Sequence, residues 1–262
     1  MNLDLNNKTA LVCGASQGLG LAVAKELALL GANVIALSRS EEKLKAAVAT
    51  LHAGPGQQHS YIAADTSLPG DVKEKVSAYL SKNNTIHILV NNTGGPPSGP
   101  MIKTNADDLE TAFRSHLVTS HTLVQLVFEG MKQAGYGRIV NVVSTSVKQP
   151  INGLGISNTV RAAVANWAKT LANEIGGYGI TVNNVLPGFT RTDRLDYLFG
   201  KQAENAGTTP EEITRQTLAL IPAKRLGEPE EFAAAVAFLC SPAASYINGI
   251  NLPVDGGRTN GL

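Results

Sequence analysis

Cys13-Gly14-Ala15-Ser16-Gln17-Gly18-Leu19-Gly20 is the segment whose spacing points most directly to chemistry. It follows a short apolar run and opens a stretch with helical periodicity. Glycine lets a chain turn tightly and lets a ligand approach the backbone with no Cβ in the way. A helix N-terminus adds unpaired N–H groups and a partial positive charge, which suit a pyrophosphate. Ordinary strand-to-helix turns also use glycine, but a place at the first such junction favours nucleotide binding. Gly14, Ser16, Gln17, Gly18, Leu19 and Gly20 are then the contact residues. A second candidate is Leu37-Ser38-Arg39-Ser40, which has no carboxylate to accept bonds from a ribose 2′-OH. Arg39 offers a planar fork matched to a 2′-phosphate, so NADP(H) is expected, with NAD(H) less favoured. The plainer alternative for Arg39 is an exposed surface arginine.

These groups need a scaffold, and the hydrophobic pattern supplies one. Thr9 to Cys13, Asn33 to Leu37, His59 to Ala64, Ile86 to Val90, Arg138 to Val143, Thr181 to Val185 and Gly249 to Val254 read as strands. Helices are expected at Leu19 to Leu30, Glu41 to Leu51, Ala106 to Ala134 and Ser157 to Gly176, with Gly31 ending the first. Apolar strands alternating with helices predict an α/β fold: a Rossmann-type, doubly wound parallel sheet of about seven strands in three layers. Ligands of such sheets sit at the carboxyl ends of the strands. The whole chain, 1–262, reads as one domain. Thr190 to Arg225 interrupts the rhythm and reads as a lid beside the site.

Composition narrows the function classes. The chain has 262 residues, 43% of them hydrophobic, enough for a sizeable core. Its net charge of +1 leaves no basic excess for a nucleic-acid backbone, so any anion must be held locally. Cys13 and Cys240 show neither metal-ligand spacing nor a disulfide framework and fit a reducing compartment. The N-terminal residues lack the pattern of a signal peptide, and Phe232 to Val254 is broken by Ser241-Pro242, Asn248-Gly249 and Pro253. A cytoplasmic protein with no membrane or nucleic-acid partner is expected, and no metal.

The spacing Gly-x-x-x-Gly-x-Gly resembles that of the short-chain dehydrogenase/reductase family. Further segments of this kind follow in order: Asn91-Asn92-Thr93-Gly94, Gly137-Arg138-Ile139-Val140-Asn141, Pro187-Gly188 and Val254-Asp255-Gly256-Gly257. The resemblance covers essentially the whole chain. It implies an oxidoreductase moving hydride between nicotinamide and a carbonyl or alcohol. It places Ser38 where NAD-using relatives carry an acid, and Gln17 where NADP-using relatives often carry a second base. It implies that Asp65 accepts from the adenine amino group, the alternative being a cap on the turn before Leu68-Pro69-Gly70. Thr66, Asn92 and Gly94 fall beside the adenine end, Pro187 and Gly188 beside the nicotinamide, and Thr192 at its carboxamide.

The resemblance also implies a Tyr-x-x-x-Lys segment, and here the pattern breaks. Ala162-Ala163-Val164 aligns Ser157 with the tyrosine and Arg161 with the lysine. The family serine is retained as Ser144, thirteen residues earlier, and the asparagine position holds His116. A serine hydroxyl is a far weaker acid than an activated phenol. Arg161 keeps the positive charge and the grip on ribose but does not deprotonate. His116 titrates near neutral pH when unperturbed and is the leading replacement acid or base, against the alternative of a packed helix residue. Tyr197 and Lys148 are secondary candidates. An NADP(H)-dependent oxidoreductase with an atypical proton donor is preferred over an NADP-binding sensor or assembly module without turnover. Non-redox chemistry on the same scaffold is a third reading. Arg191, Arg194 and Lys201 are candidate anion contacts, and Leu195, Leu198 and Phe199 candidate pocket walls. By analogy with the family's helix pairing, Leu123, Val127, Phe128, Trp167 and Leu171 predict a homotetramer or homodimer.

Overall fold

The structure is a computed structural model and describes residues 1–82 and 85–261. Seven strands form one parallel sheet: β1 (Thr9–Cys13), β2 (Asn33–Ser38), β3 (Ser60–Ala63), β4 (Ile88–Asn91), β5 (Gly137–Val142), β6 (Ile180–Pro187) and β7 (Asn251–Val254). Their spatial order is β3-β2-β1-β4-β5-β6-β7. The order reverses between β1 and β4, which is where a doubly wound sheet opens a crevice.

Nine α-helices accompany the sheet among the described residues. They are α1 (Gly18–Leu29), α2 (Glu41–Ala49), α3 (Pro69–Leu80), α4 (Ala106–Phe113), α5 (Thr119–Gln133), α6 (Gly155–Ile175), α7 (Asp193–Ala206), α8 (Pro210–Leu220) and α9 (Pro229–Cys240). Alternating strand residues face opposite layers. Ala10 and Val12 pack with Val23, Leu27, Phe232 and Val236 of α1 and α9. Leu11 and Cys13 pack with Val72, Leu123, Val127 and Ala168 of α3, α5 and α6. This is the expected three-layer arrangement.

The differences from expectation are informative. Helix α3 is an addition to the expected helices: the turn before Leu68-Pro69-Gly70 leads straight into it, with Pro69 at the helix start, where a missing N–H costs nothing. The helix expected over Ala106 to Ala134 is interrupted by a π-turn, Arg114–Val118, between α4 and α5. Leu123, Val127 and Leu171 are 1%, 2% and 9% exposed, so they serve this chain's own core and offer no surplus surface to a second copy. Phe128 and Trp167 alone of that set stay partly exposed.

Asn91, Asn141, Asn184 and Asn251 form an amide ladder across β4 to β7. Each Nδ2 donates to the next Oδ1, at 2.8, 2.9 and 2.8 Å. The segment after β6 is pinned at its base by Arg191 N to Gly227 O and Gly227 N to Phe189 O. It has a small core of its own, with Leu195, Phe199, Ala203, Ile213, Ile221 and Leu226. Among the described residues no helix is long and apolar enough to cross a membrane.

Candidate active site

The carboxyl ends of the strands and the α7 segment enclose a cleft of about 560 Å³. At one end is the glycine loop. Gly14 has φ of +63°, and a Cβ there would lie 2.6 Å from Asn92 Nδ2. A Cβ on Gly20 would collide with the Gly14 carbonyl, so Gly20 backs the loop while Gly14, Ser16, Gln17, Gly18 and Leu19 line the cleft. Gln17 precedes α1 and its side chain makes no capping bond, leaving the first helical N–H groups open. Asn92 braces the loop through Nδ2 to the Cys13 carbonyl at 3.3 Å.

Past β2, Ser38 and Arg39 line the cleft, and Ser38 Oγ is a buried atom with no partner. Lys43 lines it as well, its Nζ donating to Gln17 Oε1 at 3.1 Å. Lys43 escaped the sequence reading. Ser40 caps α2 by accepting from Lys43 N, and Lys43, in that first turn, lines the same cleft as Arg39. The signal was an S-x-x-K at a helix start, but only the fold brings it to Gln17.

Thr66, Asn92, Gly94, Pro187, Gly188 and Thr192 also line the cleft. The Thr66 and Thr93 hydroxyls are hydrogen-bonded at 2.8 Å. Thr192 caps α7, accepting from Leu195 N at 3.4 Å and donating to the Thr190 carbonyl. Asp65 lies outside the lining set, and its Oδ1 accepts from Ser67 N and Oγ at 2.9 and 2.8 Å. The turn-capping alternative is the geometry present.

Deeper in the same cleft are Ser144, Ser157 and Arg161. Arg161 Nε donates to Ser157 Oγ at 3.2 Å, and Nη1 donates to the carbonyls of Val142 and Val143 at 3.0 and 2.6 Å. Burial, and the positive charge of Arg194, lower the Arg161 pKa from 12.5 to about 10, so it stays protonated at neutral pH. Ser144 Oγ accepts from Ser146 N at 3.1 Å. Each serine oxygen thus accepts from an N–H, which leaves each hydroxyl proton available to a group in the cleft.

His116 does not join them. It is 6% exposed, sits in the π-turn, and borders a small void of about 20 Å³ with Asn91, Ser120 and Asn141, adjoining the cleft through Thr66, Asn92, Val142 and Val143. Burial, with Arg161 adding repulsion, lowers its pKa from 6.5 to about 3, while a hydrogen bond with the Gly94 backbone pulls the other way. Its imidazole is neutral near pH 7. Tyr197 is 56% exposed, and neither it nor Lys148 lines the cleft. Arg191 and Lys201 are ion-paired with Glu228 and Glu204, so of the three candidate anion contacts only Arg194 lines it. Leu195 and Leu198 are walls, while Phe199 is buried in the segment's own core against Phe189.

A glycine-loop cradle at the β1/β4 crevice of a parallel sheet, running into a pocket of hydroxyls and guanidinium, defines a dinucleotide-binding protein of the Rossmann class. A family model described as enoyl-(acyl carrier protein) reductase matches residues 14–259. The chain is 35% identical over 257 residues to the 3-oxoacyl-(acyl-carrier-protein) reductase FabG of Vibrio cholerae, covering 97% of this chain and 98% of that one. It is 31% identical over 251 residues to the short-chain reductase protein NovJ of Streptomyces niveus, covering 95% and 93%. The fold superposes on L-sorbose reductase from Gluconobacter frateurii, solved with NADPH and L-sorbose, with a TM-score of 0.93, 28% identity and full coverage of both chains. The chain belongs to the short-chain dehydrogenase/reductase family, and is an oxidoreductase of that type.

Proposed function

We propose that this chain is an NADP(H)-dependent reductase of a carbonyl substrate, or oxidant of the matching alcohol, working without the family's tyrosine. The observation that carries this reading is one continuous cleft holding both the glycine loop and the Ser144, Ser157 and Arg161 cluster. The loop fits a dinucleotide on its own terms: its tight turn packs against Asn92 and itself so closely that a Cβ at Gly14 or Gly20 would break it, and Ser38 Oγ is unpartnered in the wall. Arg39 and Lys43 form the pair of positive charges that a 2′-phosphate needs, with Lys43 held against Gln17. Gly14, Ser16, Gln17, Gly18 and Leu19 would hold the pyrophosphate, Thr66, Asn92 and Gly94 the adenosine side, and Pro187, Gly188 and Thr192 the nicotinamide side. A bound NADPH supplies the hydride.

The chain's own residues manage the oxygen. Ser144 and Ser157 aim their hydroxyl protons at a carbonyl oxygen, and Arg161 adds a fixed positive charge beside Ser157. Preorganised donors of this kind stabilise negative charge that develops on oxygen during reduction. The proton that completes the alcohol comes from water in the open cleft. Neither serine is an acid strong enough to yield it permanently, and His116 is neutral and outside the cleft lining. The segment over Thr190 to Arg225 acts as the lid, through Thr192, Arg194 and Leu195. Titrating the protein with NADPH, then following its oxidation across a carbonyl panel, tests this. Tight NADPH binding and turnover with at least one carbonyl are expected. Binding without turnover on any carbonyl would identify a sensor instead.

A further inference from the structure

Three arginines converge on the deep end of the cleft: Arg161 from α6, Arg194 from α7, and Arg258 from the segment after β7. Asp193 is the sole carboxylate among the residues lining it. Arg194 Nη2 donates at 3.3 Å to the Pro96 carbonyl, and its guanidinium lies 5.5 Å from the Tyr197 ring centre. Arg258 Nη1 reaches Thr145 Oγ1 at 3.5 Å and lies 4.9 Å from the Phe189 ring centre. Each therefore spends one long bond of a five-donor fork on a neutral acceptor.

The arginines around them behave differently. Arg191, Arg215 and Arg225 are each paired with a glutamate, at 3.2, 2.7 and 2.6 Å. Arg138 lacks a carboxylate, but the carbonyls of Ser241, Gly137 and Gly179 fill its fork. Arg194 and Arg258 combine open donors with no acidic partner inside the cleft; Arg39, at its other end, and Arg114, exposed and outside the cleft lining, are likewise in none of the ion pairs of the described residues. Convergence of like charges there is unfavourable unless an anion joins them. The repulsion is visible in Arg161, whose proton affinity Arg194 lowers.

This cluster is not the 2′-phosphate site. Arg39 follows β2, whereas Arg161 is anchored at the end of β5, three strands away in the sheet. At about 4.8 Å per strand that is about 14 Å. Between the cluster and its surroundings lie Ile151, Leu154, Leu195 and Leu198, an apolar wall suited to a hydrocarbon chain.

We propose that the substrate is an oxo acid, or the matching hydroxy acid, whose carboxylate is bound by Arg194 and Arg258 while its carbonyl oxygen faces Ser144 and Ser157. This rests on the reductase reading above and adds the substrate's charge to it.

The test compares short straight-chain oxo acids, with the ketone at each position along the chain, against their methyl esters at saturating NADPH. The best acid should exceed its ester in kcat/KM by about tenfold or more, the usual size of a charge-assisted contact. Arg194→Gln and Arg258→Gln should each shrink that ratio about tenfold through KM, while Arg191→Gln, on the ion-paired side, should leave it intact. Equal use of acid and ester, or a ratio unmoved in both variants, overturns the proposal. Calorimetry on the NADPH-loaded protein separates the two layers. Acid binding that is weakened in Arg194→Gln, with no turnover of acid or ester, would uphold the anion site and refute the reductase reading. Absence of acid binding would refute the anion proposal while NADPH binding stood, and stronger binding of an alkyl phosphate of equal length would overturn the oxo-acid assignment.

Discussion

Arg161 donates from Nε to Ser157 Oγ at 3.2 Å, one turn apart on the same helix, and also holds the end of β5 through two carbonyls. On the reading proposed above, aligned on Ala162-Ala163-Val164, the pair stands in for the family's proton donor and its lysine. The guanidinium is thus tied to the scaffold and to the hydroxyl together, which fixes a charge rather than a proton relay.

Restoring the usual pair gives the first prediction. Ser157→Tyr with Arg161→Lys should raise kcat for carbonyl reduction by about tenfold or more, since general acid catalysis contributes about 10²–10⁴-fold. Steady-state rates at several pH values check it, and the gain should be largest below the phenol's pKa.

The proposed function rests cofactor choice on Arg39 and Lys43. Arg39→Ala with Lys43→Ala should weaken NADPH by about 10- to 100-fold and NADH little, from the loss of charge-assisted bonds to the extra phosphate. Fluorescence titration with both dinucleotides measures it.

His116 should make the protein acid-sensitive. Above pH 6.5 neither the folded nor the unfolded chain binds a proton there. Below 6.5 only the unfolded chain does, until the folded value of about 3 is reached. Stability is therefore lost progressively as pH falls through that window. At pH 5 the loss amounts to about 2 kcal/mol at about 1.4 kcal/mol per unit. His116→Asn should flatten the fall between pH 7 and pH 5, measured by urea unfolding at each pH.

The amide ladder is a structural prediction. Asn141→Ala would leave Asn91 Nδ2 and Asn184 Oδ1 buried and unpaired. A destabilisation of about 2–6 kcal/mol is expected, from two orphaned groups at about 1–3 kcal/mol each. Asn91 Oδ1 already lacks a partner and borders the 20 Å³ void, so that end of the ladder has least to spare.

The sheet and its glycine loop were legible because their signals are local: apolar runs, a turn, a helix start. What stayed hidden depends on long-range packing. Lys43 meets Gln17 from 26 residues away, and Arg258 reaches the cleft only because the chain returns past β7. Helix α3 opens on Pro69, whose two roles, turn and helix start, look alike in sequence. His116 looks reactive by residue type, yet a π-turn and the layer above β4 bury it. Leu123, Val127 and Leu171 looked like interface residues because a two-sided sheet demands wide apolar helix faces.

The most direct test of the central claim is deuterium transfer from NADPH labelled at the hydride-donating carbon, read by mass spectrometry of the products from a carbonyl panel. An alcohol product carrying one deuterium at the former carbonyl carbon is predicted, lost when Gly14→Val blocks the loop. Saturating NADPH binding with no labelled alcohol from any carbonyl would contradict the account.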